Sequence, residues 1–174
     1  LGLAGMPPRS ADRGEDHPVV VAGGGGLSNP LPLSPFVDAI YLGDAETGAV
    51  AMMDALCGGG SKADRLRRAS EAPGVWVPSL GRGRVVWQRA PALLETDAPD
   101  RPVVPTAPII HDRAVIEIAR GYTRGCRFCQ ATQLSRPVRE RGVREIESLA
   151  RKAVASTGWE DAGLLTLSFS DYSD

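Results

Sequence analysis

The stretch from Ala114 to Phe169 constrains the fold of this 174-residue chain more than any other. Ala114 to Ile118 is an apolar run with strand character, and a loop rich in Gly, Arg and Cys follows from Arg120 to Gln130. Val143, Ile146, Leu149, Ala150, Ala153 and Val154 then share one face at helical spacing, Glu147 and Arg151 form an i,i+4 pair, and Gly158 supplies a stop. Ala162 to Phe169 reads as a second strand. Two strands joined through a helix of this length pair in parallel, so the segment predicts a βαβ unit, the repeat of a parallel sheet or barrel.

The N-terminal third carries a second α/β pattern. Val19, Val20 and Val21 run through Ala22 into four glycines, Gly23 to Gly26, as a buried parallel strand entering a loop would. Another short strand is expected at Asp38 to Leu42, before Gly43 and Asp44. Asp44 is placed to cap a helix with Glu46 in its first turn, Val50, Met53, Leu56 and Cys57 on one face, and Gly58 at its end. This order of strand, loop, strand and helix is the tail of an open α/β domain. Ser61 can start a short charged helix over 61–72, with Arg65, Arg67 and Arg68 on a solvated face. Val75 to Val77 and Val85 to Trp87, separated by Gly81, Arg82 and Gly83, suit a hairpin. Prolines 91, 99, 102, 105 and 108 mark an extended connector, which sets the domain boundary.

Composition excludes several classes. The formal charge is −1, from 20 Lys plus Arg against 21 Asp plus Glu, and the apolar fraction is 43%. No apolar run approaches the roughly 20 residues that cross a bilayer, and no signal-peptide pattern opens the chain, so a cytoplasmic protein without membrane partners is expected. The 20 Gly and 14 Pro imply many turns. Three cysteines do not make a disulfide framework. A start at Leu1 and a stop after a strand-like run read as a fragment.

Chemistry concentrates in Gly121, Tyr122, Thr123, Arg124, Gly125, Cys126, Arg127, Phe128, Cys129, Gln130. Two thiols three positions apart can ligate one metal centre, and neighbouring guanidinium groups favour the thiolate form that ligation needs. On the residues alone, three readings stand: a metal or cluster site, a redox pair, or two small buried hydrophobes.

The stretch from His111, Asp112 and Arg113 through Glu117 and this loop to Arg136, Pro137, Val138, Arg139, Glu140 and Arg141 resembles radical S-adenosylmethionine (radical SAM) proteins, in particular the bacterial group with a cobalamin-binding-like domain before the radical domain. The resemblance implies the first βαβ of a partial (β/α)6 barrel, with three cysteines spaced CxxxCxxC holding a 4Fe-4S cluster and S-adenosylmethionine on the fourth iron. Cys126 and Cys129 match the second and third cysteines, and Phe128 matches the aromatic position near the adenine. The first position is Tyr122. A phenol is a poor substitute for a soft thiolate. Cys57 supplies a third thiol by count alone. Ser170 and Asp171 fall where such enzymes place polar groups for the methionine amine, and they serve equally as helix N-caps.

Further toward the N-terminus, Leu3 to Pro7, Val19 to Gly24, Asn29, Pro30, Phe36 to Asp38, Gly43, Asp44 and Glu46 are similar to the second half of a cobalamin-binding-like domain. Gly23, Gly24, Asn29 and Gly43 are thereby candidate cofactor contacts, with cobalamin a candidate third cofactor; a plain α/β turn is the alternative. Neither His17 nor His111 sits in a cobalt-ligating setting. The architecture expected is therefore α/β: the C-terminal part of an open Rossmann-like cobalamin-binding domain over 1–60, hairpin and connector over 61–108, and the N-terminal part of a radical SAM core over 109–174.

The resemblance implies an enzyme that cleaves its small-molecule cofactor S-adenosylmethionine reductively to a 5′-deoxyadenosyl radical, fed by an electron donor such as flavodoxin or ferredoxin, on a substrate that the sequence does not identify. Two rivals stay open: a family member without the cluster that acts as a binding or scaffold protein, and an RNA- or zinc-binding module. Residues 120–144 hold seven arginines and one acid, a local charge of +6, yet only Tyr122 and Phe128 as aromatics. RNA is weakly supported by that pattern; arginines that offset a negative cluster and substrate carboxylate are the competing account.

Overall fold

The computed structural model describes residues 1–81, 83–107 and 109–173. Arg82 of the expected hairpin loop and Pro108 of the expected connector lie outside them, as does Asp174. The chain is mixed α/β, with small sheets and four α-helices among the described residues. It divides into two compact units, Leu1–Ala90 and Pro91–Asp174.

In the first unit, β1 (Val21–Ala22) pairs in parallel with β2 (Ala39–Tyr41). The three residues of β2 are buried on both faces, so it needs neighbours on both edges, and β3 (Val75–Trp76) supplies the second by antiparallel pairing. This displaces the expected hairpin: residues 83–87 form no strand, and Gln88 instead bonds the extension of β2 through Leu42 and Asp44. Helices α1 (Ala49–Cys57) and α2 (Lys62–Ala69) cover one face of the sheet with Met52, Leu56, Leu66 and Ala69 against Ala39, Tyr41, Val75 and Val77. Leu27, Val37, Ile40 and Leu42 pack with Trp76, Val85 and Trp87 on the other. Each fully buried Leu or Ile contributes about 1.5–3 kcal/mol of transfer free energy.

Two local expectations change. The buried face of α1 is Met52 and Leu56, while Val50, Met53 and Cys57 face solvent. Asp44 caps no helix by its side chain; a 3-10 turn at Ala45–Thr47 intervenes, and the carboxylate accepts from Ala90 N–H at 2.9 Å. Ser61 does cap α2, its Oγ accepting from Asp64 N–H at 3.2 Å.

In the second unit, β4 (Ala114–Glu117) and β7 (Ala162–Leu165) pair in parallel over four residues, with α4 (Val143–Thr157) between them in sequence. Ala114 and Ile116 of β4 meet Leu149 and Ala153 of α4, with Ile146, Ala150 and Val154 packed alongside. Gly158 ends α4 in the left-handed conformation, φ 78°. The second strand stops at Leu165 and a 3-10 turn takes Phe169–Asp171. A short antiparallel pair, β5 (Ala119–Arg120) with β6 (Arg139–Glu140), flanks helix α3 (Ala131–Leu134) and closes the base of the cysteine loop. Residues 94–100 do not run free as a connector would: Glu95 and Asp100 pair with Lys152 of α4, and Leu94 O accepts from Arg141.

Candidate functional site

The cysteine loop hangs from a tight anchor. Gly121 has φ 107°, and a Cβ there would lie 2.5 Å from Pro137 O and 2.6 Å from Ser135 O, so glycine is needed for backbone approach as well as conformation. Arg136 reaches across to Thr123 O at 3.2 Å and Arg124 O at 3.4 Å. Cys129 N–H returns to Cys126 O at 3.1 Å, folding the pair into one turn, and the fully buried Thr132 ties the turn to α3 by donating to Cys129 O at 2.8 Å. Both thiols are free and half-buried, and Tyr122 is half-buried beside them in sequence. Phe128 is 92% exposed.

Asp171 stands at the C-terminal side of β7, where its carboxylate takes Arg124 through Nε at 3.1 Å and Nη2 at 2.6 Å, and Thr123 Oγ1 at 3.4 Å. The hydrogen bond from Arg124 holds the Asp171 carboxyl below the usual carboxylate range, with Ser168 assisting. Ser170 Oγ lies 3.4 Å from Ser168 Oγ. The depression between residues 121–123 and 166–172 measures about 10 Å³, room for roughly one water.

The arginine patch is largely turned to internal work. Arg120 chelates Glu117 through two hydrogen bonds, Arg141 is buried on Glu117 O, Leu94 O and Glu145, and Arg139 is 7% exposed. Arg127 and Arg144 remain exposed.

The N-terminal candidates separate. Gly24, Gly25 and Gly26 leave open space where a Cβ would stand, and Gly24 has φ 110°. Gly43 (φ 140°) is instead filled by its own chain, pressed against Gln88. Asn29 Oδ1 accepts from Leu31 N–H at 3.3 Å. Cys57 is exposed at the end of α1.

Sequence reasoning missed two arrangements. One is the bridging of loop carbonyls by Arg136, for which the sequence offers no signal beyond its charge. The other is a buried charge cluster around Asp38, hinted at only by an acid directly before an apolar strand.

The structure places the paired thiols Cys126 and Cys129 in a turn after the first strand of a parallel βαβ unit. In the other unit, residues 1–78 match the family model described as radical SAM proteins, N-terminal, which supports a radical SAM superfamily protein. No curated protein and no solved structure matches the chain.

That family implies S-adenosylmethionine and usually a 4Fe-4S cluster. The donor set present does not complete a three-thiolate cluster site. The loop offers two thiols and a phenol, and among the described residues no group of three or more His, Cys, Asp or Glu side chains could hold one metal ion. No helix among the described residues is long and apolar enough to cross a membrane.

Proposed function

We propose that the chain carries the front of a radical SAM enzyme core whose loop 121–130 is a cluster loop with one protein ligand replaced by Tyr122. The observation that supports this reading most is the Cys126 to Cys129 turn, anchored by Gly121 and Thr132 at the end of the first strand of a parallel βαβ unit. The work of these residues is to present two thiolates on one loop edge, with Arg124 and Arg136 fixing the backbone around them. S-adenosylmethionine is the proposed small-molecule cofactor and a one-electron protein such as a flavodoxin or ferredoxin the proposed donor. Cobalamin is a candidate ligand for the open Gly24 to Gly26 loop after β1 alone, since Gly43 is already packed.

A second reading, a family member that acts as a binding or scaffold protein without a cluster, is favoured by one specific observation: residue 122, where the resemblance expects the first cysteine, is Tyr. Anaerobic reconstitution with iron and sulfide separates the two. The enzyme reading expects iron and sulfide bound below the full complement and lost when Cys126→Ala is introduced; iron content equal in wild type and Cys126→Ala leaves the scaffold reading.

A further inference from the structure

A cleft of about 650 Å³ opens in the first unit between residues 9–15, Pro35, the first turns of α2 and residues 78–80. It lies by Asp38, at the start of β2, whereas the Gly23 to Gly26 loop follows the end of the parallel β1. Its floor is a buried cluster of charge. Asp38 accepts from Val20 N–H at 2.7 Å and Arg13 Nη2 at 3.0 Å on Oδ2 and from Ser10 Oγ at 2.6 Å on Oδ1, and Lys62 Nζ stands 3.1 Å from Oδ1.

One carboxylate is thus shared by two cations whose side chains are 0% and 9% exposed. Glu15, the other acid of the cleft, turns both oxygens to the backbone N–H of Lys62, at 2.9 and 2.8 Å, and not to the ammonium. The Lys62 ammonium has three donors and no aligned hydrogen-bond acceptor, and Arg13 Nε also lacks one. A buried cation left short of acceptors is costly, and the cleft rim adds the cations of Arg9 and Arg67. The remaining wall is apolar: Leu66, Pro35, Pro78 and Leu80.

We propose that this cleft binds a small organic anion, its acid group held at the Arg9 and Arg67 rim over the buried positive charge of Lys62 and its apolar body lying on Leu66, Pro78 and Leu80. A carboxylate and a phosphate monoester share the required chemistry, with acceptor oxygens and negative charge on an apolar body. The site depends on none of the residues of the cysteine loop.

The test uses the whole 174-residue chain and three probes, benzoate, phenyl phosphate and the neutral benzamide, followed by ligand-observed NMR. At least one acid binds and benzamide does not; whichever acid binds more tightly gives the source. Lys62→Met weakens that acid about tenfold or more, and Lys62→Arg retains it. Should Lys62→Met fail to fold, Arg9→Ala and Ser79→Trp, both at exposed rim positions, weaken binding without moving the melting temperature. The proposal is overturned if neither acid binds the folded chain, if benzamide binds as well as the acids, or if the rim variants leave affinity unchanged. In those cases the cluster only ties the N-terminal segment to β2.

Discussion

Arg124 closes on Asp171 through a two-point ion pair, Nε to Oδ2 at 3.1 Å and Nη2 to Oδ1 at 2.6 Å, and so ties the cysteine loop to the turn after β7. Arg124 lies two positions before Cys126. The pair therefore sets where the thiols stand relative to the end of the parallel strands. Arg124 is 60% exposed on its side chain, so the pair orders a loop more than it stabilises a fold.

Removing either partner should loosen that loop. In Arg124→Ala or Asp171→Asn, amide hydrogen exchange over residues 122–128 should accelerate while the global melt hardly moves. The exchanged pair, Arg124→Asp with Asp171→Arg, should restore slow exchange. Because the Asp171 carboxyl is held low by Arg124, the tie is complete above the ordinary carboxylate pKa of about 3.9 and is lost as pH falls through the lower folded value. Exchange that is unchanged in the single variants contradicts the tie.

Glycine positions make a paired prediction. Gly121→Ala forces a side chain into Pro137 O and Ser135 O at positive φ and should destabilise the second unit by about 2 kcal/mol or more. Gly25→Ala meets open space and ordinary φ, so urea denaturation should give a change within about 0.5 kcal/mol. Any loss of ligand affinity in Gly25→Ala would then report contact with the ligand and not damage to the fold.

Asp38 should carry the acid sensitivity of the first unit. Burial alone would raise its carboxyl, but hydrogen bonds from Ser10, the Val20 N–H and Arg13, together with the Lys62 ammonium paired at 3.1 Å, outweigh burial and hold it low. A group depressed in the folded state stabilises above its unfolded pKa, about 3.9, and that contribution disappears as pH falls through the lower folded value. Asp38→Asn leaves Arg13 and Lys62 buried without their counter-charge and should cost about 3–5 kcal/mol near neutral pH, measured by chemical denaturation. A variant as stable as wild type would show that the cluster is not held by Asp38.

The two α/β patterns were legible because each carries strong local signals. Valines ran into glycine at β1, and of the six apolar positions read on one face of α4 five pack in the core, while Val143 in the first turn is exposed. The pairing of β3 was not legible. Val75 and Trp76 read equally well as half of a hairpin, and only the need of a doubly buried β2 for a second edge decides between them. The buried face of α1 was misread because Met52 and Met53, or Leu56 and Cys57, are interchangeable by hydropathy; packing against Ala39 and Tyr41 selects Met52 and Leu56. At the cysteine loop the sequence marked Cys126, Cys129 and Tyr122 but not the partners of its arginines, since ion pairs between residues 47 apart leave no local pattern.

Those pairings bear on nucleic acid. With Arg120, Arg124, Arg136 and Arg141 held by carboxylates or carbonyls and Arg139 buried, Arg127 and Arg144 of the patch stand exposed without such ties among the described residues. Structured RNA should show negligible affinity for wild type and for Arg127→Ala with Arg144→Ala alike. Binding that weakens steeply with salt and falls further in the double variant would favour the RNA reading.

The central claim, that loop 121–130 is a cluster loop lacking one ligand at Tyr122, is tested most directly by iron and sulfide content after anaerobic reconstitution of wild type, Tyr122→Cys and Tyr122→Cys with Cys126→Ala. Tyr122→Cys places three thiols at CxxxCxxC spacing and should raise iron and sulfide toward about four each per chain, the four-iron complement of such clusters. Wild type should stay well below that, and adding Cys126→Ala should remove the gain. A Tyr122→Cys protein that takes up no more iron than wild type contradicts the claim, and so does a wild-type protein that already holds the full complement.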